Sequence, residues 1–238
     1  MTKNTTANSK INSNRHFPLF QSHLDLAKSQ WESILLPGDT AVDATAGNGH
    51  DALFLAKAIL TPSSGHLHVF DVQDIALQET KKRILNHIPE CEHRVNYHHA
   101  SHVQFPAEFG SSNIKLFVYN LGYLPSANKS MTTETTSTLL SVQHASLLLS
   151  PGGLISITCY PGHPEGALEE TALVEWASTL NKEEWSVCHH RWINRTRAPS
   201  LLLLQKNEVS KEAFKKSEQD PIEDQKFFEN KKLGDAHH

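Results

Sequence analysis

A chain of 238 residues with 22 Lys and Arg against 26 Asp and Glu has a net charge of -4 with histidine neutral, so only a local patch can attract nucleic acid. The three cysteines, Cys91, Cys159 and Cys188, form no C-x-x-C pair, which argues against a disulfide framework or zinc knuckle and fits a reducing cytosol. No apolar run approaches the ~20 residues of a membrane span and the polar start lacks a secretory core, so a cytoplasmic chain of one domain is expected, with room for seven strands and their helices.

Residues 1–15 are rich in Asn, Ser and Thr, and carry Lys3, Lys10 and Arg15 without an acid. They read as a disordered arm. Leu24, Leu26, Ala27, Trp31, Ile34 and Leu35 predict an amphipathic helix ending before Pro37-Gly38, placed to pack on a sheet and cover a ligand pocket. Asp39-Thr40-Ala41-Val42 is a short strand, and a helix follows over residues 52–58. Residues 61–65 form a loop. Strand, helix and strand are predicted over 66–71, 74–86 and 95–99, and a fourth, more apolar strand over 114–120. A helix over 137–149 stops at Ser150-Pro151-Gly152-Gly153 before a fifth strand over 154–160. A helix over 165–180 leads to an antiparallel pair over 185–193 and 200–205. From residue 208 to 238 the chain carries both charges with few apolar residues, and reads as a tail outside a domain of residues 16–207. The alternation gives an α/β fold, a mostly parallel sheet with helices on both faces.

The chemistry gathers at the first turn, Asp43-Ala44-Thr45-Ala46-Gly47-Asn48-Gly49-His50-Asp51. Glycines at 47 and 49 permit positive φ and leave room for a ligand, and the following helix offers unpaired N–H groups. The spacing is Asp-x-Thr-x-Gly-x-Gly, with Ala52 where a dinucleotide turn has its third glycine. An acid at the end of the first strand suits a ligand with a cationic end. Asp71, twenty-two positions after Gly49 and ending the second strand, can accept hydrogen bonds from ribose hydroxyls. That pairing points to an adenosine cofactor without separating S-adenosylmethionine (SAM) from NAD.

The fourth strand separates them. It ends Asn120-Leu121-Gly122-Tyr123-Leu124-Pro125, an asparagine where many amino-group methyltransferases carry Asn-Pro-Pro-Tyr. An amide carbonyl there can hold an amine N–H while the nitrogen lone pair faces a sulfonium methyl.

The first turn resembles motif I of the Rossmann-like SAM-dependent methyltransferases. Joined with Asn120 to Pro125, with Lys129, Thr132 and Thr133, with Tyr160-Pro161-Gly162-His163 and with Glu169-Glu170, it is similar to the tRNA 5-(aminomethyl)-2-thiouridine methyltransferases, a family once described as rRNA methylases. The resemblance covers roughly residues 17–206. It implies a Rossmann-like domain with a seven-stranded sheet, SAM as donor and a wobble uridine at tRNA position 34 as acceptor, within the anticodon stem-loop. By resemblance Asp43, Thr45, Gly47, Asn48, Gly49, Asp51, Asp71, Gln73, Ser101 and His102 line the SAM site, with Asn120 at its boundary. Asn120 and Tyr123 act on the amine, and Lys129, Tyr160 and His163 face the nucleoside. The chain departs from the family in having Ser126-Ala127 after Leu124-Pro125. It also has Asn194-Arg195-Thr196-Arg197-Ala198-Pro199 in place of Asn-Gln-x-Asn-x-Pro-Pro. Arg195 and Arg197, with Arg191 and Lys129, are candidate phosphate contacts, and a solvent-facing charged turn is the equal alternative.

Methyl transfer asks for positioning and water exclusion, and for a neutral amine, which a desolvated pocket favours. Tyr123, Tyr160 and His163 are all open as the group that passes the proton to water. Sixteen histidines include His98-His99-x-x-His102 and His189-His190, but the supporting ligand spacing is missing and no metal is expected. Rival expectations are methylation of rRNA or a small amine, and a SAM-binding protein without turnover. The sequence leaves a homodimer open.

Overall fold

The computed structural model describes residues 21–111, 113–122 and 135–208. The expected N-terminal arm, Tyr123, Lys129 and all but the first residue of the expected tail lie outside the described residues.

Seven strands form one sheet in the order β3-β2-β1-β4-β5-β7-β6. They are β1 (Thr40–Asp43), β2 (His66–Asp71), β3 (Val95–His99), β4 (Ile114–Asn120), β5 (Leu149–Cys159), β6 (Trp185–His190) and β7 (Ser200–Lys206). The first five pair in parallel; β7 runs antiparallel between β5 and β6. Strand order reverses direction between β1 and β4, which opens a crevice at their carboxyl ends.

Each central strand feeds two cores. Leu67 and Val69 of β2, with Leu201 and Leu203 of β7, join the cluster under α1 (His23–Ile34), α2 (His50–Ile59) and α3 (Asp74–His87). Phe70, Ile155, Ile157, Leu202 and Leu204 join the opposite cluster under α4 (Thr135–Leu148) and α5 (Pro164–Ser178). Burial on both faces explains the near-continuous apolar runs of β4 and β7. Trp31 is the anchor of α1. It is buried and stands at 67° to the Phe54 ring of α2, centroids 5.7 Å apart, and its truncation to alanine costs about 3–5 kcal/mol.

The predicted strands over 66–71, 95–99 and 114–120 coincide with β2, β3 and β4. Two predictions shift. The predicted loop Ser150-Pro151-Gly152-Gly153 lies within β5, whose pairing with β4 skips from Leu149 opposite Ile114 to Leu154 opposite Leu116. Gly152 takes φ +70° there, and the Ser150 hydroxyl donates to the Ile114 carbonyl at 2.7 Å, so the irregularity is held in the sheet. The predicted strand over 185–193 stops at His190, because the chain must turn through residues 191–199 to return as β7.

Candidate active site

The turn after β1 is shaped by its acids. Asp43 is buried at the strand end, and its Oδ1 accepts the Thr45 N–H at 3.1 Å. Its Oδ2 has no hydrogen-bond partner among the described residues. Burial, with the carboxylates of Asp51 and Asp71 adding to it, pushes the Asp43 carboxyl up to about 8. An orphaned buried acid beside two further carboxylates is a cradle for a cation. Gly47 and Gly49 take φ of +51° and +71°, as expected. The room left by Gly49 serves a different purpose from the predicted one. A Cβ there would lie 2.7 Å from the Thr80 backbone of α3, so the missing side chain admits a helix rather than a ligand.

Asp71 ends β2 and grips two turns at once. Its Oδ2 accepts the Gly47 N–H at 3.0 Å and its Oδ1 the Gln73 N–H at 2.9 Å. Each oxygen keeps a further lone pair for a hydroxyl donor. Asn48 is exposed, and its carbonyl accepts Arg83 Nε at 2.8 Å, which ties the turn to α3. These observations fit SAM: the acids of β1 and α2 could hold a cationic amino-acid end, and Asp71 could hold a ribose.

Across the crevice, β4 delivers Asn120. Its N–H donates to Thr45 Oγ1 at 2.7 Å, so Thr45 links the two strands. The side-chain amide is fixed at both ends: Nδ2 donates to Asp51 Oδ2 at 3.1 Å, and Oδ1 accepts the Tyr160 hydroxyl at 2.8 Å. Asp51 Oδ1 also pairs with Lys28 of α1 at 3.4 Å. Burial, then the nearby Asp51 and Cys159, pushes Tyr160 up to about 12, so it serves as a donor rather than a base. Gly122 lies beside its ring, where an added Cβ would sit 3.5 Å away.

His163 caps α5, with its Nδ1 accepting the Gly166 N–H at 3.1 Å. That role commits one ring nitrogen to structure. The exposed loop of residues 191–199 carries Arg191, Arg195 and Arg197. It abuts the 160–163 segment, since a Cβ on Gly162 would lie 3.5 Å from the Arg197 carbonyl. Arg195 stacks over the Trp192 ring at 5.3 Å. Below the loop, the Ser200 hydroxyl donates to Glu170, and His189 Nε2 lies 3.2 Å from Glu170 Oε1. The hydrogen bond from His189 outweighs burial and holds the Glu170 carboxyl below its ordinary value.

The remaining predicted residues sit at the β3 edge. Ser101 is exposed and accepts the Val103 N–H at 3.4 Å. His102 is buried edge-on to Tyr119, its carbonyl accepting the Ser141 hydroxyl at 2.7 Å, and burial lowers its imidazole to about 4. The His98-His99-x-x-His102 set disperses. His98 stacks on Phe70 at 4.2 Å, His99 Nε2 lies 3.1 Å from the Val72 carbonyl, and His102 turns to Tyr119. Among the described residues no three His, Cys, Asp or Glu gather in a metal-binding group.

Two residues at this site were not among the predicted ones. Lys28 and His23 come from α1, and reach Asp51 and the Tyr160 ring respectively. The only sequence signal was a polar residue on each of the first two turns of a helix whose other face is apolar. Among the described residues no helix is long and apolar enough to cross a membrane.

The model of the family described as "Putative rRNA methylase" matches residues 67–206. A tRNA (mnm(5)s(2)U34)-methyltransferase, chloroplastic, of Arabidopsis thaliana is 33% identical over 191 residues, covering 77% of this chain and 69% of that protein. A solved "putative rRNA-methylase" of Clostridium thermocellum is 28% identical with a TM-score of 0.71, over 79% of this chain and 98% of that one. A "putative methyltransferase" of Streptococcus mutans, solved in complex with SAH, is 26% identical with a TM-score of 0.66, over 79% of this chain and 99% of that one. With the seven-stranded sheet, the acid-lined turn and Asn120 at the crevice, these matches establish that the chain belongs to the "Putative rRNA methylase" family and is a SAM-dependent methyltransferase.

Proposed function

We propose that the protein methylates the amino nitrogen of 5-aminomethyl-2-thiouridine at the wobble position of tRNA. The observation that carries this reading is the doubly anchored amide of Asn120. Tyr160 and Asp51 leave its Oδ1 with one lone pair and one direction in which to accept an amine N–H. The curated relative from Arabidopsis, named for a wobble uridine, supports the same substrate class.

When bound, SAM supplies an electrophilic methyl group on a sulfonium. Asp43 and Asp51 hold its cationic amino-acid end, Asp71 its ribose hydroxyls, and the amides at Gly47 and Gln73 keep Asp71 aimed. Thr45, Asn48, Ser101 and His102 complete the wall of that pocket. Asn120 orients the acceptor amine toward the methyl and also closes the donor pocket. Tyr160 fixes Asn120; Tyr123 and Lys129, expected from sequence on the acceptor side, lie outside the described residues. His163 holds the start of α5 in place beneath the acceptor. Arg195 and Arg197 meet tRNA phosphates at the rim, where the planar guanidinium matches phosphate geometry. A cytoplasmic location accords with the free thiols, although the Arabidopsis relative is named as chloroplastic.

The test is incubation of purified protein with SAM and tRNA from cells whose wobble uridines stop at the aminomethyl stage. Nucleosides are then read by mass spectrometry. One added methyl at that nucleoside is expected. Tight SAM binding without the gain sinks the tRNA assignment and moves the acceptor to rRNA or a small amine.

A further inference from the structure

Of the three residues open from sequence as proton acceptors, the two that are described are committed elsewhere. Tyr160 is a hydroxyl donor to Asn120 at 2.8 Å, the Nδ1 of His163 accepts a helix N–H, and Tyr123 lies outside the described residues. An amine that arrives as an ammonium still has to lose a proton before its nitrogen can attack.

His23, the first residue of α1, stands edge-on to the Tyr160 ring at 88°, with centroids 5.8 Å apart. Its Nε2 is buried and has no hydrogen-bond partner among the described residues. A buried imidazole nitrogen without a partner calls for an explanation. The charged and titratable groups facing it are Asp25 from its own helix, Asp51 from α2 and the Tyr160 hydroxyl beyond β5. Asp51 is engaged by Lys28 at 3.4 Å and by the Asn120 amide at 3.1 Å, so its charge is largely answered elsewhere. Burial lowers the His23 imidazole below its ordinary value, against the smaller opposing pull of Asp25 and Asp51. A neutral ring with an unused nitrogen beside the residue that fixes Asn120 is equipped to accept.

We propose that His23 is the general base of the methyl transfer, receiving at Nε2 a proton from the incoming alkylammonium, directly or through one water. This assignment rests on the reading of an amine acceptor. The N–H bond of the ammonium breaks, its electron pair stays on nitrogen, and the proton moves to an imidazole whose other proton sits on Nδ1. The N–C bond then forms with that pair as the S–C bond breaks, and the bonding electrons return to sulfur. The product leaves as a secondary ammonium, and His23 returns its proton to water.

The experiment is single-turnover methylation of aminomethyl-stage tRNA by wild-type, His23→Gln and His23→Ala proteins from about pH 6 to about pH 9, with SAM affinity measured by calorimetry. Both variants should bind SAM as the wild type does. His23→Gln should be slower by about 10²-fold near neutrality, with the deficit shrinking as pH rises toward the pKa of the substrate amine. Free imidazole should restore part of the rate in His23→Ala. Apart from turnover, binding of the same tRNA to the SAH complex, followed in buffers of different ionisation enthalpy, should release about one more proton from His23→Gln than from the wild type. A deficit independent of pH, a wild-type profile in His23→Gln, or loss of SAM binding in both variants would overturn the assignment to His23. No product from the wild-type protein would overturn the amine reading itself, and this assignment with it.

Discussion

The two halves of the crevice are built by different means. At the carboxyl ends of β1 and β2 the contacts are carboxylate to backbone amide: Asp43 to Thr45, and Asp71 to Gly47 and Gln73. At the ends of β4 and β5 they are side chain to side chain, running Lys28–Asp51–Asn120–Tyr160 through α1, α2, β4 and the segment after β5. A backbone-built half tolerates change wherever the amide survives. A side-chain half depends on each member, because every removal leaves a half-buried polar partner unpaired.

The sharpest way to break that contrast is Asn120→Ala. Transfer to the aminomethyl nucleoside should fall about 10²- to 10³-fold, of the order seen when a single positioned transition-state donor is lost. SAM affinity by calorimetry should fall by far less than turnover does. Wild-type turnover with unchanged affinity would remove Asn120 from the chemistry. Asp71→Ala tests the other half. It strips two amides of their acceptor and the ribose of its own, so SAM affinity should drop by about 2–3 kcal/mol, more than tenfold.

A subtler prediction concerns pH. The Asp43 carboxyl is raised to about 8, so near neutrality it is mostly protonated and must ionise to meet a cation. SAM affinity should therefore rise with pH up to about 8 and level off above it, with proton release on binding. For stability the sign is opposite: a carboxyl held protonated in the fold is stabilised at low pH, and that contribution is lost as pH rises toward about 8. Asp43→Asn should flatten the affinity profile, and an unchanged slope would place the titration elsewhere. The smallest effect is expected from Arg195→Glu with Arg197→Glu. It should weaken tRNA binding and shallow its dependence on salt, each phosphate contact contributing about one unit of slope. If tRNA binding holds while SAM binding also holds, the loop plays no part in recognition.

The same contrast explains what the sequence revealed. Gly47, Gly49 and Asp71 announce themselves because a local turn and a strand end depend on residues close in sequence. Strands β2, β3 and β4 were bounded correctly because apolar runs stop at polar loops. The α1 contribution was only half visible. The helix was expected over the pocket, but the contacts of His23 with Tyr160 and of Lys28 with Asp51 depend on how α1 crosses the sheet, which no local pattern encodes. The irregular start of β5 was missed for a related reason. Ser150-Pro151-Gly152-Gly153 has loop chemistry, and only pairing with β4 keeps it in the sheet. The role of Gly49 was inverted, since a glycine beside a ligand and one beside a helix look alike until Thr80 is seen against it.

That glycine has a consequence for donor selectivity. The turn after β1 is clamped to the turn after β2 by the Gly47–Asp71 hydrogen bond, and to α3 by the bare face of Gly49 against Thr80. The distance between the acids of one turn and the carboxylate of the other is thereby set like the jaws of a caliper. A donor analogue lengthened by one methylene between its amino-acid end and its sulfur keeps every polar group, yet can satisfy only one jaw at a time. On the proposed donor site, discrimination among donors would then come from length, enforced by two interlocked turns.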